Sequence, residues 1–220
     1  MDEKRVLRVR ADNTAMKRMY TKFSKIMSFI EKSEKSLRKK SFELLKLQSG
    51  EKVLEIGFGR GTALIEISKT VGGTGEVFGI DLTPEMVKTA RINLAKHHIS
   101  NVKVREADAR NLPYKNGYFD VVYMASTLEL FDTPEIPIVL NEIKRVLKPT
   151  GRICIVSIPR EGREDSFGVR VYEWSHRTFQ SYASCRPIYV EDVIKKAGYK
   201  IIKTQVIGVF FPMKIVIAIP

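Results

Sequence analysis

The chain has 220 residues, 44% of them hydrophobic, enough to bury one sizeable core, so a single domain is the default. Its 38 Lys plus Arg against 25 Asp plus Glu leave a formal net charge of +13, and its two cysteines, Cys154 and Cys185, form no CxxC pair. That argues against a disulfide framework or a zinc site and for a reducing, intracellular setting. No apolar run approaches the roughly 20 residues that span a bilayer. The charged N-terminus also lacks the apolar centre of a secretion signal, so the sequence reads as cytoplasmic.

Residues 1–12 are polar and basic. A helical period over 14–30 puts Met16, Met19, Tyr20, Phe23, Met27 and Ile30 on one face, and Ser33 reads as the cap of a second helix running to about Leu47. Residues 1–50 hold 14 basic and 6 acidic side chains. This surplus suits an anionic partner such as nucleic acid, phospholipid headgroups or phosphorylated metabolites, or simply solvated lysine-rich faces. Residues 1–48 therefore read as a basic helical cap on a domain over 49–220, with a membrane-resting face as the alternative for the first helix.

After Ser49-Gly50, strands and helices alternate. Strand 52–56 leads through Gly57-Phe58-Gly59-Arg60-Gly61 into helix 60–70, and strand 76–80 follows a glycine-rich turn. Thr83-Pro84-Glu85 opens a helix to about 97, with Thr as N-cap and Pro at the first helical position. Strands 101–106 and 119–124 come next, then Thr133-Pro134-Glu135 starts a helix to 147 with Ile136, Val139, Leu140, Ile143 and Leu147 on its apolar face. Strand 152–157, a helix near 190–197 and apolar runs at 200–210 and 214–219 complete the pattern. The alternation implies an α/β, doubly wound, mostly parallel sheet. The last two runs are joined by too short a link for a parallel crossover and should be antiparallel.

The glycine loop carries the first functional signal. Strand, bare turn and helix N-terminus let backbone approach a ligand with no Cβ between them. Glu55 interrupts an otherwise apolar strand, which is tolerable at its carboxyl end if the charge faces water or a cationic ligand group. Asp81, 20 residues past Gly61, ends the second strand, where an acid reaches the two hydroxyls of a ribose. The GxGxG spacing departs from the dinucleotide fingerprint, whose third small residue falls one position later, at Thr62 here.

VLEIGFGRG (53–61), VFGIDLTPEM (77–86), EADARNLPY (106–114), FDVVYMASTLEL (119–130), EIKRVLKPTGRICIV (142–156) and VEDVIKKAGY (190–199) together resemble the class I S-adenosylmethionine-dependent methyltransferases. Within them the set is most similar to the ubiquinone/menaquinone C-methyltransferases and related small-molecule enzymes. The resemblance implies a Rossmann-like seven-stranded sheet ending in an antiparallel hairpin. It also implies S-adenosyl-L-methionine as methyl donor, S-adenosyl-L-homocysteine as product, and no metal.

Residue by residue, the resemblance sets Gly57, Phe58, Gly59, Gly61 and Thr62 along the methionine and ribose portion, with Glu55 near the amino group. Asp81 would take the ribose hydroxyls, and Leu82 and Met86 would flank the adenine. Asp108 would accept from the adenine amino group beside the Ala109 amide, and Ala125 and Ser126 would border the methyl donor. Asp120 reads as structural, satisfying backbone donors at a strand start.

Methyl transfer from a sulfonium demands in-line positioning and exclusion of water, and a base only if the acceptor must lose a proton. Candidate acceptor residues are Tyr20 from the first helix, Thr127 and Glu129 after the fourth strand, and Trp174 and His176 in an aromatic, Arg-rich insertion over 159–187. A small-molecule or lipid-like acceptor is the leading expectation. RNA is the alternative raised by the charge, but Ala125-Ser126-Thr127-Leu128 stands where base N-methylating enzymes carry an NPPY-like tetrapeptide. A cofactor-binding protein without turnover is the third reading.

Overall fold

The computed structural model describes residues 27–162, 167–178, 186–208 and 212–220. Helix α1 (Met27–Leu45) precedes β1 (Lys52–Ile56), α2 (Thr62–Val71), β2 (Glu76–Asp81), α3 (Pro84–Lys96), β3 (Val102–Glu106) and β4 (Phe119–Ala125). A 3-10 turn (Leu128–Leu130), α4 (Ile136–Val146), β5 (Leu147–Ser157), α5 (Phe167–Thr178), α6 (Val190–Lys196), β6 (Lys200–Ile207) and β7 (Met213–Ile219) follow.

The strands form one seven-stranded sheet in the order β3-β2-β1-β4-β5-β7-β6. The pairings from β3 across to β5 are parallel, and β7 runs antiparallel to both β5 and β6. Both the doubly wound reading and the C-terminal hairpin are therefore realised.

The two-residue period of the strands sorts side chains onto two faces. Val53, Val77, Val121, Tyr123, Cys154 and Val156 meet α2, α3 and Leu45 of α1 on one side. Leu54, Ile80, Val122, Met124, Ile153 and Ile155 meet α4 and α6 on the other. The expected apolar stripe of α4 is buried throughout, and Cys154, also fully buried, has its thiol pushed up by burial and is inert.

Three boundaries differ from the sequence reading. Helix α1 runs unbroken through Ser33, so that serine is a helix-interior residue and no cap. The start of α4 is capped from one residue earlier than Thr133: the Asp132 amide donates to Glu135 Oε2 at 3.0 Å, and the Glu135 and Ile136 amides donate back to the Asp132 carbonyl. This reciprocal bond closes the first turn as a capping box does. Strand β5 begins at Leu147, which pairs with Phe119 ahead of an irregularity in the ladder. Asp120 behaves as expected, accepting the Lys52 amide at 2.9 Å and the Lys148 ammonium at 2.5 Å.

Helix α1 is tied to the sheet by polar contacts as well as by Leu45. Arg152 of β5 donates to the Leu45 and Lys46 carbonyls at 2.7 and 2.8 Å, satisfying groups that a helix end leaves open. Its guanidinium also pairs with Glu51 at 2.7 Å. Arg38 reaches Glu66 of α2 at 2.8 Å, and Ser41 meets the Tyr123 hydroxyl at 3.1 Å. The helix thus lies over the face that carries Glu55.

Candidate active site

Strand order reverses between β1 and β4, and the crevice outside the carboxyl ends at such a switch point is where open α/β sheets bind ligands. The glycine loop opens onto it. Gly57, Gly59 and Gly61 have φ of 74°, 53° and 81°, a region that residues with a Cβ rarely adopt. Each glycine has its own neighbour problem. A Cβ on Gly57 would lie 2.3 Å from Thr127 Oγ1, and one on Gly61 would lie 3.0 Å from Ala90 Cβ, whereas one on Gly59 meets nothing within 4 Å. Gly59 is thus the open face of the cradle. Between them, Phe58 is buried against Gly79 and anchors the loop. Thr62 is the first residue of α2, so the helix's open amides follow directly.

Asp81 ends β2 and holds the loop: its Oδ2 accepts the Gly59 amide at 3.0 Å and its Oδ1 the Thr83 amide at 2.9 Å. Burial pushes its carboxyl up, and these amides work against that. Thr83 occupies the N-cap position of α3 but makes no side-chain cap bond. Leu82 is half-buried, and Met86 is buried in the core beneath.

Glu55 does not face water. It is 4% exposed, one residue from the end of β1, and its Oε2 has no hydrogen-bond partner. Burial pushes its carboxyl up to about 8, with the Arg38 guanidinium pulling the other way. Of the two expectations for Glu55, water or a cationic ligand group, burial excludes the first. α1 and the sheet enclose it, and the Arg38 guanidinium is the described cation that favours its ionised form.

Asp108 sits beyond β3, half-buried. Its oxygens accept the Arg110 guanidinium at 3.0 and 2.5 Å and the Arg110 amide at 2.9 Å. Burial pushes this carboxyl up, but the bonds from Arg110 outweigh it and hold it low. Arg110 also bonds Glu135, so the loop is stapled to the start of α4. The sequence reading missed Arg110; its position two residues after Asp108 was the available signal. Ala109 is buried beside them.

After β4, Ser126 takes φ 49° while its amide donates to Val156 at 2.8 Å, so a non-glycine residue is held in the left-handed region at the crevice. Ala125 and Ser126 are half-buried, and the Thr127 hydroxyl donates to the Ala125 carbonyl at 2.8 Å. Glu129 is 0% exposed, and its carboxylate makes no well-formed hydrogen bond. Burial pushes it up to about 7; its own amide, the Ser157 hydroxyl, the Ile158 amide and the Arg186 charge face it and oppose this.

Trp174 is 61% exposed on α5. His176 falls within the span of α5, its side chain outside the described part, and Tyr20, Phe179 and Tyr182 lie outside the described residues.

A mostly parallel sheet with an acid-braced glycine loop at its switch point defines a nucleoside-binding α/β domain. The family described as a methyltransferase domain matches residues 47–203. The chain belongs to this family, the S-adenosylmethionine-dependent methyltransferases of class I. A demethylmenaquinone methyltransferase of Lactococcus lactis is 27% identical over 206 residues, covering 84% of this chain and 79% of the relative. One from Staphylococcus saprophyticus is 34% identical over 134 residues, covering 61% of this chain and 55% of the relative, so the match spans little more than half of that protein. Among solved structures, an S-adenosylmethionine-dependent methyltransferase from Aquifex aeolicus superposes with a TM-score of 0.68 at 27% identity, covering 89% of this chain and 96% of that one.

Proposed function

We propose that the protein transfers a methyl group to a small, lipophilic acceptor, with a hydroxylated ring of the quinol type as its best candidate. The observation that supports this most is the similarity to demethylmenaquinone methyltransferases, which for the Lactococcus lactis relative extends over 84% of the chain. The chemistry of the site agrees with it. Methyl transfer needs the acceptor held in line with water excluded, and a base only where the acceptor must lose a proton, roles that this chain's own groups can fill.

When bound, S-adenosylmethionine supplies an electrophilic methyl group on a sulfonium. The chain's part is to fix and shield it. In this reading Asp81 takes the ribose hydroxyls while keeping the Gly59 amide, and Gly57, Gly59 and Gly61 lie along the methionine and ribose portion. Glu55 balances the amino group from below. Leu82 and Met86 border the adenine, Asp108 and the Ala109 amide its exocyclic edge, and Ala125 and Ser126 the methyl-bearing end. Thr127, wedged against Gly57, keeps the β1 and β4 loops in one register, so the acceptor is presented in line.

The test is a tritiated-methyl transfer assay on cell extract and on reduced demethylmenaquinone, with labelled product fractionated by class. Label in the lipid fraction and in the quinol is expected. Label confined to nucleic acid or protein would overturn the choice of acceptor.

A further inference from the structure

Glu129 and Ser157 are two fully buried polar side chains that face each other at the carboxyl edge, and none of their side-chain oxygens makes a well-formed hydrogen bond among the described residues. They come from different elements. Glu129 lies in the 3-10 turn three residues after Ser126, and Ser157 ends β5, one residue beyond Val156, which pairs with Ala125. Arg186, fully buried, closes the same corner from the segment before α6 and donates to the Phe131 carbonyl at 2.6 Å. A carboxylate and a hydroxyl with no well-formed hydrogen bond in a dry site are costly, and such groups in a native fold call for an explanation, a catalytic role among them.

We propose that Glu129 and Ser157 form the acceptor-recognition site, taking a ring hydroxyl of the acceptor, with the Glu129 carboxylate as the group that removes its proton. This rests on the methyltransferase reading above and deepens it. In the proton step the acceptor's O–H bond breaks, the proton forms an O–H bond on Glu129, and the electron pair stays on the acceptor oxygen. From there it is available on oxygen or, through the ring, on carbon; methylation at carbon is completed by loss of that carbon's own proton while the oxygen takes a proton back, so the net count is unchanged. One proton leaves per turnover, returned from Glu129 to water after product departs. The Ser157 hydroxyl donates to the same oxygen and holds it as its charge develops. Arg186 is the charged group facing this corner, with the Ile158 amide beside it; its positive charge favours the ionised carboxylate that the step requires.

The experiment uses the whole chain loaded with S-adenosylhomocysteine and titrated with 1-naphthol or its methyl ether at pH 6 and pH 8. Wild type should prefer the naphthol by about tenfold at pH 8 and by less at pH 6, because the charged carboxylate accepts the stronger bond. Glu129→Gln should lose the pH dependence of that preference while binding S-adenosylhomocysteine and melting as wild type does. It should also transfer methyl about 100-fold more slowly, with Glu129→Asp recovering part of the loss. If Glu129→Gln does not fold, Ser157→Ala should still cut the naphthol preference about threefold. Equal binding of naphthol and ether, or a preference unchanged in the variants, overturns the proposal in favour of a structural cluster. A Glu129-dependent naphthol preference with no methyl transfer to any ring acceptor would instead sink the proposed function and leave the hydroxyl site standing.

Discussion

The Gly59 amide donates to Asp81 at 3.0 Å across 22 residues of sequence, so the carboxylate that would meet the ribose also braces the open glycine of the loop. One side chain sets both the shape of the cradle and its polar contact. Asp81→Ala removes both, and the affinity for S-adenosylhomocysteine should fall at least tenfold, about 1.4 kcal/mol or more. Calorimetric titration measures this; affinity within twofold of wild type would separate Asp81 from the cofactor.

Gly57 tests the register of the two loops. Gly57→Ala forces a Cβ to within 2.3 Å of Thr127 Oγ1 at a φ of 74°, so it should cost about 2–4 kcal/mol by denaturant unfolding. Adding Thr127→Ala removes the hydroxyl and methyl but leaves the backbone strain. The double variant should recover part of the loss, a non-additivity that independent sites do not show.

Glu55 makes stability and binding depend on pH. Its carboxyl is pushed up to about 8 in the folded chain from its ordinary 4.5, so between those limits the folded state binds more protons than the unfolded one. The contribution is therefore fully present below about 4.5 and is lost as pH rises toward 8. Glu55→Gln should flatten this slope, and the gap in melting temperature between the variant and wild type should shift in favour of the variant as pH rises from 5 to 8. An ammonium group arriving beside Glu55 favours its charged form. Binding of S-adenosylhomocysteine near pH 7 should then release a proton, visible as a heat that differs between buffers of different ionisation enthalpy.

Tyr123 and Ser41 divide their bond unequally. Ser41 spends its proton on the Arg38 carbonyl at 2.7 Å, so the Tyr123 hydroxyl is the donor in their 3.1 Å contact. Tyr123→Phe leaves Ser41 with its other bond and should cost about 1 kcal/mol, whereas Ser41→Ala strands a buried phenol and should cost about 1–3 kcal/mol. Chemical denaturation of the two variants checks the order.

Much of this arrangement is readable along the chain because it is local. Strand–turn–helix spacing located β1, the glycine loop and α2, the interval from Gly61 located Asp81, and the short link between the apolar runs 200–210 and 214–219 made β6 and β7 antiparallel. What was missed depends on packing. Ser33 looks like a cap until the helix around it is seen to continue, and Asp132 shares its turn with a stronger-looking Thr-Pro-Glu signal. Glu55 appears tolerable at a strand end only until α1 is laid over it. Glu129 is readable as a near-site residue from its place after the fourth strand, but Ser157 and Arg186 are not, because no periodicity connects a turn, a strand end and a loop; the sheet's pairing of β4 with β5 sets Ser157 beside it.

The placement of β7 between β5 and β6 also bears on how the molecule is made. During synthesis β6 emerges before the strand that is its only neighbour in the sheet, while β5 waits with one ladder of amides and carbonyls unpaired. The nascent chain must therefore hold an incomplete sheet until residues 213–219 clear the ribosome and slot into the gap, the step at which a chaperone would have most to shield.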